Sequence, residues 1–313
     1  MAPTLTIVVP CYNEEESLPT AAQKLHAKLG DMQAEGLVSG ESLVLFVDDG
    51  SRDKTWSIIA DLAKMSSAFS GIKLSRNVGH QNALIAGLEH VKTDICISID
   101  ADLQDDINAI DEMVRRYRQG SHVVYGVRKD RSSDSLFKRN TAQLFYRAMS
   151  KLGVESVENH ADFRLLSKEA LAALLSMQET NVYLRGMVPL VGFPAACVYY
   201  DRFARFAGQS KYPLRKMLAL AIKGVTSLSV VPLRIIAGFG MLVSFLSGLM
   251  SIWVIAAKLF GNAVPGWTST NLIIVFMGGV QMLALGVVGE YVGCIYLEVK
   301  RRPKYFIEKT TGA

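Results

Sequence analysis

The chain alternates short runs of consecutive apolar residues with longer stretches of helical spacing. Leu5–Val9, Ser42–Val47, Gly71–Leu74, Ile95–Ile99 and Val123–Gly126 read as strands. Between them Glu14–Leu29, Lys54–Met65, Asn82–His90 and Ile107–Arg118 carry their apolar residues at helical intervals. Strands that are apolar throughout, without alternation, are covered on both faces. Strands of that kind alternating with helices predict an α/β domain on a mostly parallel sheet. Ligands of such sheets bind beyond the carboxyl ends of the strands.

The pattern changes in the last third. From Ile235 to Ala257 there is no charged residue, and a helix of that length covers about 34 Å, enough to cross a hydrocarbon core. A second run, Asn271–Leu297, is broken only by Gln281 and Glu290. Two C-terminal transmembrane helices are therefore expected, with glycines suited to close packing in lipid and to a homo-oligomer. Lys211, Arg215, Lys216, Lys223 and Arg234 precede the first run, and Lys300, Arg301, Arg302 and Lys304 follow the second. The connecting segment has only Lys258 at its edge. Positive charge on the inner side places the globular domain and both termini in the cytoplasm, with the chain a multi-pass protein of the cell membrane. The expected division is a globular domain over 1–210, an amphipathic interfacial helix over 211–231, the membrane helices within 232–299 and a basic tail over 300–313.

Net charge is +5 in 313 residues. That balance suits anionic lipid headgroups, and it is too weak and scattered for a nucleic-acid partner. The four cysteines have no metal-like spacing and read as small buried hydrophobes of a reducing compartment.

Candidate chemistry clusters just after strands. No GxGxxG, GxxxxGK[ST] or GxSxG occurs, which argues against dinucleotide, P-loop and serine-hydrolase chemistry. Asp100-Ala101-Asp102-Leu103-Gln104 follows an apolar strand. Its two carboxylates and an amide oxygen can meet one hard cation, Mg²⁺ or Mn²⁺, where the chain leaves the sheet. Such an ion can hold a diphosphate. Acidic turns are common, so this pattern gains weight from the second acidic strand end at Asp48-Asp49.

Further segments complete an ordered set: Val8-Val9-Pro10-Cys11-Tyr12-Asn13-Glu14-Glu15, Val47-Asp48-Asp49-Gly50-Ser51, Ser75-Arg76-Asn77-Val78-Gly79-His80, the Asp100–Gln104 turn, Asp162-Phe163-Arg164-Leu165 and Gly208-Gln209-Ser210-Lys211-Tyr212. Together these resemble glycosyltransferase family 2. With two C-terminal spans, essentially the whole chain resembles the polyprenyl-phosphate glycosyltransferases of that family, above all the bactoprenol glucosyltransferase branch, with dolichol-phosphate mannose synthases as more distant relatives. The resemblance implies a GT-A fold, Rossmann-like with a mostly parallel sheet. It implies that Pro10, Tyr12, Asn13, Glu14, Asp48 and Asp49 grip the base and ribose of a UDP-sugar, and that Arg76 lies near the base or phosphates. Asp100 would help hold ribose and metal, with Asp102 and Gln104 as direct metal ligands and Asp102 essential for turnover. His80 is read as a positioning residue. Asp162 would lie at the reaction centre, where the family often casts it as a base. A lipid phosphomonoester is already mostly dianionic at neutral pH, so orienting the sugar or acceptor is the other role open to it.

The implied acceptor is a polyprenyl (undecaprenyl) phosphate. Its phosphate must be met by cations near the membrane, and Arg128, Arg131, Arg139 and Lys211 are the expected contacts. The segments around Phe137–Leu152 and Leu214–Leu228 read as basic amphipathic interfacial helices. The implied reaction is inverting hexose transfer, with glucose as the expected sugar and aminoarabinose, galactose, mannose or GlcNAc as alternatives. A processive polysaccharide synthase is disfavoured by the lack of a QxxRW motif. A non-catalytic nucleotide-sugar-binding scaffold is disfavoured by the intact acidic set.

Overall fold

The computed structural model describes residues 2–129, 160–179, 182–201 and 267–312, together with scattered positions between 231 and 249. One unit of the chain holds the sheet and includes residues 302–313; a second includes residues 215–301.

The first unit is built on β1 (Leu5–Cys11), β2 (Leu43–Asp48), β3 (Phe69–Leu74), β4 (Ile95–Ser98), β5 (Val123–Arg128), β6 (His160–Ser167), β7 (Ala195–Tyr200) and β8 (Ile307–Thr311). The described helices are α1 (Leu18–Ala34), α2 (Thr55–Met65), α3 (His80–Glu89), α4 (Ala109–Arg118), α5 (Lys168–Ser176), α6 (Leu184–Leu190) and, in the second unit, α7 (Trp267–Lys300). The strands form one sheet in the order β7-β5-β6-β4-β1-β2-β3-β8. β1 pairs in parallel with β2 and β4, and β2 with β3. β6 is antiparallel to both β4 and β5, and β8 is antiparallel to β3.

The uniform apolarity of β1 has the expected cause. Every residue from Leu5 to Cys11 is buried. Leu5, Ile7 and Val9 face a core completed by Leu18, Leu25 and Leu29 of α1, while Val8 faces the opposite layer with Val47 and α3. Each such side chain contributes about 1.5–3 kcal/mol on leaving water. Helix α3 lies very close to the sheet. A Cβ at Gly87 would come within 2.4 Å of the Val8 side chain and 2.8 Å of Val47. Glycine there seats α3 flat on β1 and β2, with His80 at its first turn beside the strand ends.

The segment 300–313, expected as a basic tail, instead supplies β8 to the outer edge of β3. Lys73 pairs with Glu308 at 2.9 Å, the Ser75 amide donates to the Phe306 carbonyl at 2.9 Å, and the Tyr305 hydroxyl donates to Glu89. A strand covering β3 removes an open sheet edge. No apolar run marks it in the sequence, and four of its five residues are exposed.

In the second unit α7 extends over 34 residues. Among the described residues it holds the one helix segment long and apolar enough to cross a membrane, Val280–Lys300, with a mean hydropathy of 1.6. Met282, Leu285, Val292, Ile295 and Val299 are all exposed, so its apolar surface calls for an apolar surrounding. The first expected span, Ile235–Ala257, lies largely outside the described residues, although 235–240 are helical. The expected interfacial helix around 137–152 lies outside them too, as does that over 211–231 up to residue 230.

Candidate active site

Antiparallel β6 explains how distant parts of the sequence share one edge. The carboxyl ends of β1, β2, β3 and β4 point the same way, and the reversed β6 brings its amino end, with Asp162, to that edge.

The β1 and β2 ends are locked together. Asn13 adopts a left-handed φ of 53°, a conformation Asn tolerates. Its amide donates to Ser51 Oγ at 2.9 Å, and its Oδ1 accepts from the Arg52 amide at 2.9 Å. Pro10 is buried, whereas Tyr12 is 43% exposed at the rim. The Glu14 amide donates to Thr55 Oγ1 at 2.9 Å.

The two acids after β2 differ in their bonding. Both carboxylate oxygens of Asp49 accept backbone N–H groups, from Val78 at 2.7 Å and Gly79 at 3.0 Å, which holds the loop leading into α3. Asp48 Oδ1 accepts from the Ser51 amide at 2.9 Å, while its buried Oδ2 has no hydrogen-bond partner among the described residues. Burial pushes both carboxyls up from their ordinary range. A buried acceptor without a donor is suited to an N–H or O–H of a ligand.

Between these loops sits Gly50 at φ +66°, where a Cβ would lie 2.5 Å from the Arg76 carbonyl carbon. That contact seats the exposed Arg76 loop on the β2 end. Gly50→Ala is expected to destabilise the domain by at least about 1–3 kcal/mol, combining a disfavoured backbone conformation with a backbone clash. Denaturant midpoints would check this, and an unchanged midpoint would show that the loops part without cost.

The turn after β4 is tightly held. Leu103 takes φ 46°, unusual for a branched apolar residue, and its side chain packs against the core. Asp102 Oδ1 accepts from the Gln104 amide at 3.2 Å. Buried Asp105 braces the turn from below, accepting from Tyr200 Oη at 2.6 Å and from Arg128 at 2.9 and 3.2 Å. Asp100 is pushed up to about 6 by burial and by the charges of Asp162, Asp105 and Asp102, against the pull of His80. A crowded set of carboxylates like this one favours a cation. Among the described residues no three His, Cys, Asp or Glu side chains form a ready-made ion cage. Asp100 and Asp102 therefore suit an ion that gains its remaining oxygens from a bound diphosphate, the usual arrangement for Mg²⁺.

Asp162 is the most heavily engaged acid. Arg164, whose side chain is 3% exposed, donates to Oδ1 at 2.6 Å. Arg185 donates to Oδ1 at 3.3 Å and Oδ2 at 3.4 Å, and Gln81 Nε2 to Oδ2 at 3.2 Å. His80 Nε2 lies 3.4 Å from Asp162 and 3.6 Å from Asp100, bridging the two acidic motifs. Burial opposes ionisation of Asp162, but Arg185, the His80 hydrogen bond and Arg164 hold it well below the usual carboxylate range. Burial likewise opposes the His80 cation, yet the hydrogen bond to Asp162 and the Asp100 charge raise it to about 9.

The structure thus brings Asp48, Asp100, Asp102, Gln104 and Asp162 to one sheet edge, with Arg128 engaged by Asp105. Arg131, Arg139 and Lys211 lie outside the described residues. Sequence reading gave no role to Arg164, Arg185, Gln81 or Asp105. The two-residue spacing of Asp162 and Arg164 on a strand was a usable signal for a shared face. Arg185 and Gln81 carry none, because helix packing alone brings them near.

Residues 6–175 match the family described as Glycosyl transferase family 2. The chain is 49% identical over 308 residues to the uncharacterized glycosyltransferase YkoT of Bacillus subtilis (strain 168), covering 98% of this chain and 91% of that protein. It is 39% identical to the SfII prophage-derived bactoprenol glucosyl transferase of Shigella flexneri, covering 98% of each. Among solved structures, the mannosyltransferase PcManGT from Pyrobaculum calidifontis, in complex with GDP-Man and Mn²⁺, superposes with a TM-score of 0.53 at 17% identity over 96% of this chain and 87% of that one, a likeness of fold. An acidic strand-end site on a mostly parallel GT-A sheet, matched by these similarities along nearly its full length, makes this chain a member of glycosyltransferase family 2.

Proposed function

We propose that the protein transfers a hexose, glucose from UDP-glucose, to a polyprenyl (undecaprenyl) phosphate at the cytosolic membrane face, with inversion at the anomeric carbon. The observation that carries this reading is the meeting of the Asp100–Gln104 turn with the cation-ringed Asp162 at one sheet edge. It is supported by the similarity, along nearly the whole chain, to a bactoprenol glucosyl transferase and by an apolar helix suited to a lipid setting.

In this reading the base and ribose of the donor lie against Pro10, Tyr12, Asn13, Glu14 and Asp48, with the open Oδ2 of Asp48 accepting from the base or ribose. Asp49 holds the loop that carries Arg76. A Mg²⁺ or Mn²⁺ ion held by Asp100, Asp102 and Gln104 would offset the charge of the departing diphosphate. The acceptor phosphate is mostly dianionic at neutral pH and needs no strong base. Asp162, held far below neutrality, is a weak one. Its role is to orient the cations beside the reacting carbon. Arg128, Arg131, Arg139 and Lys211 are the proposed cations along the path of the lipid phosphate.

Purified protein given radiolabelled UDP-glucose and undecaprenyl phosphate in mixed micelles is expected to yield organic-extractable label that EDTA abolishes. Label from a different UDP-sugar alone would change the assigned sugar. No lipid-linked label from any donor would overturn the transfer reading.

A further inference from the structure

Two arginines grip the same carboxylate, and they are not equivalent. Arg164 is buried, bonds Asp162 Oδ1 at 2.6 Å and also donates to the Leu184 carbonyl at 3.2 Å. It lies two residues along β6 from its partner. Arg185, at the start of α6, is 35% exposed and holds Asp162 through longer contacts of 3.3 and 3.4 Å. Arg164 holds Asp162 through one short, buried bond, whereas Arg185 reaches both oxygens of the same carboxylate from a partly exposed position.

His80 Nε2 lies 3.4 Å from Asp162 and 3.6 Å from Asp100, so Arg185, bound to the same Asp162, sits next to the acidic turn. A planar guanidinium presents several N–H donors in a fork matched to phosphate oxygens. From these contacts we infer that Arg185 is a phosphate-binding residue, which keeps part of its hold on Asp162 while it receives an oxygen of the lipid phosphate acceptor. This inference rests on the proposed transfer to a polyprenyl phosphate and deepens it by naming an acceptor contact that the sequence did not reveal. Asp162 then serves as the anchor that aims Arg185, and Arg164 keeps Asp162 in place as Arg185 shifts toward the incoming phosphate.

The test compares wild type with Arg185→Gln and Arg185→Lys in full-length protein in mixed micelles, varying undecaprenyl phosphate and UDP-sugar separately. Arg185→Gln is expected to raise the KM for the lipid phosphate by about tenfold or more, the scale of a lost charge-assisted hydrogen bond. The donor KM should stay within about twofold, and Arg185→Lys should recover part of the loss. Binding of UDP alone serves as a readout of correct folding that does not depend on turnover. An unchanged lipid KM with a lowered kcat would make Arg185 only an orienting partner of Asp162 and overturn the inference. Loss of UDP binding in both variants would overturn it as well, since Arg185 would then support the donor side. A wild-type protein that forms no lipid-linked product overturns the transfer reading itself, and this inference with it, before any variant is compared.

Discussion

Asp162→Ala is expected to lose about 3–5 kcal/mol of stability along with its activity. The reason is the partner it leaves behind. Arg164 is almost wholly buried and has Asp162 as its short, aligned anion; removing one member of a buried pair leaves an uncompensated charge. Arg185 and His80 would also be left facing one another across the vacated position. Asp162→Asn keeps the shape and one acceptor oxygen, so it should lose less stability while still impairing transfer. The effect should depend on pH in one direction. The folded pKa of Asp162 lies below its unfolded value. Its contribution is therefore complete above about pH 4 and disappears as pH falls through the folded pKa. Wild type and Asp162→Ala should differ most near neutrality and converge in strong acid. Urea midpoints across that range would check this, and a difference under about 1 kcal/mol at pH 7 would remove Arg164–Asp162 as a structural pair.

Asp102→Asn is expected to do the reverse, leaving the fold intact and removing turnover. Asp102 is half-buried, and the contact that shapes its turn is an oxygen accepting the Gln104 amide at 3.2 Å. An asparagine Oδ1 can accept the same bond, so stability should change by no more than about 0.5 kcal/mol. What disappears is one negative charge in the set proposed to hold the ion. Losing one preorganised electrostatic group at a reaction centre typically costs about 10²–10³ in rate. The readouts are kcat/KM for lipid-linked product, the Mn²⁺ concentration for half-maximal rate, and the thermal midpoint. Retention of wild-type rate and metal response would exclude Asp102 as a ligand.

These opposite outcomes follow from where the two acids sit. Asp102 belongs to the turn that follows β4, where its carboxylate accepts the Gln104 amide. Asp162 belongs to the sheet itself, and the groups that set its properties come from α3, β6 and α6. The acid pair that ends β2 shows the same division, since Asp48 keeps an open oxygen while Asp49 is committed to the β3–α3 loop.

The sequence by itself determined the features that are local. Strands covered on both faces are mostly apolar, so β1 to β5 were legible, with boundaries shifted by a few residues at most. The acidic turns were legible because ligand-binding groups of such sheets follow strand ends directly. The ordered motifs placed the chain in its family for the same reason. Only the tertiary structure decided the rest. β6 had to run backwards between β4 and β5 before Asp162 could meet His80 and Asp100, and no residue near Asp162 announces that reversal. Arg185 reaches the site because α6 packs beside β6, at a sequence distance with no periodic signature. β8 carries too few buried residues to show a strand pattern, and it is a strand because β3 offers an unpaired edge. Long-range contacts of this kind depend on which surfaces remain to be covered once the local elements have formed, a property of the assembled sheet and of no single segment.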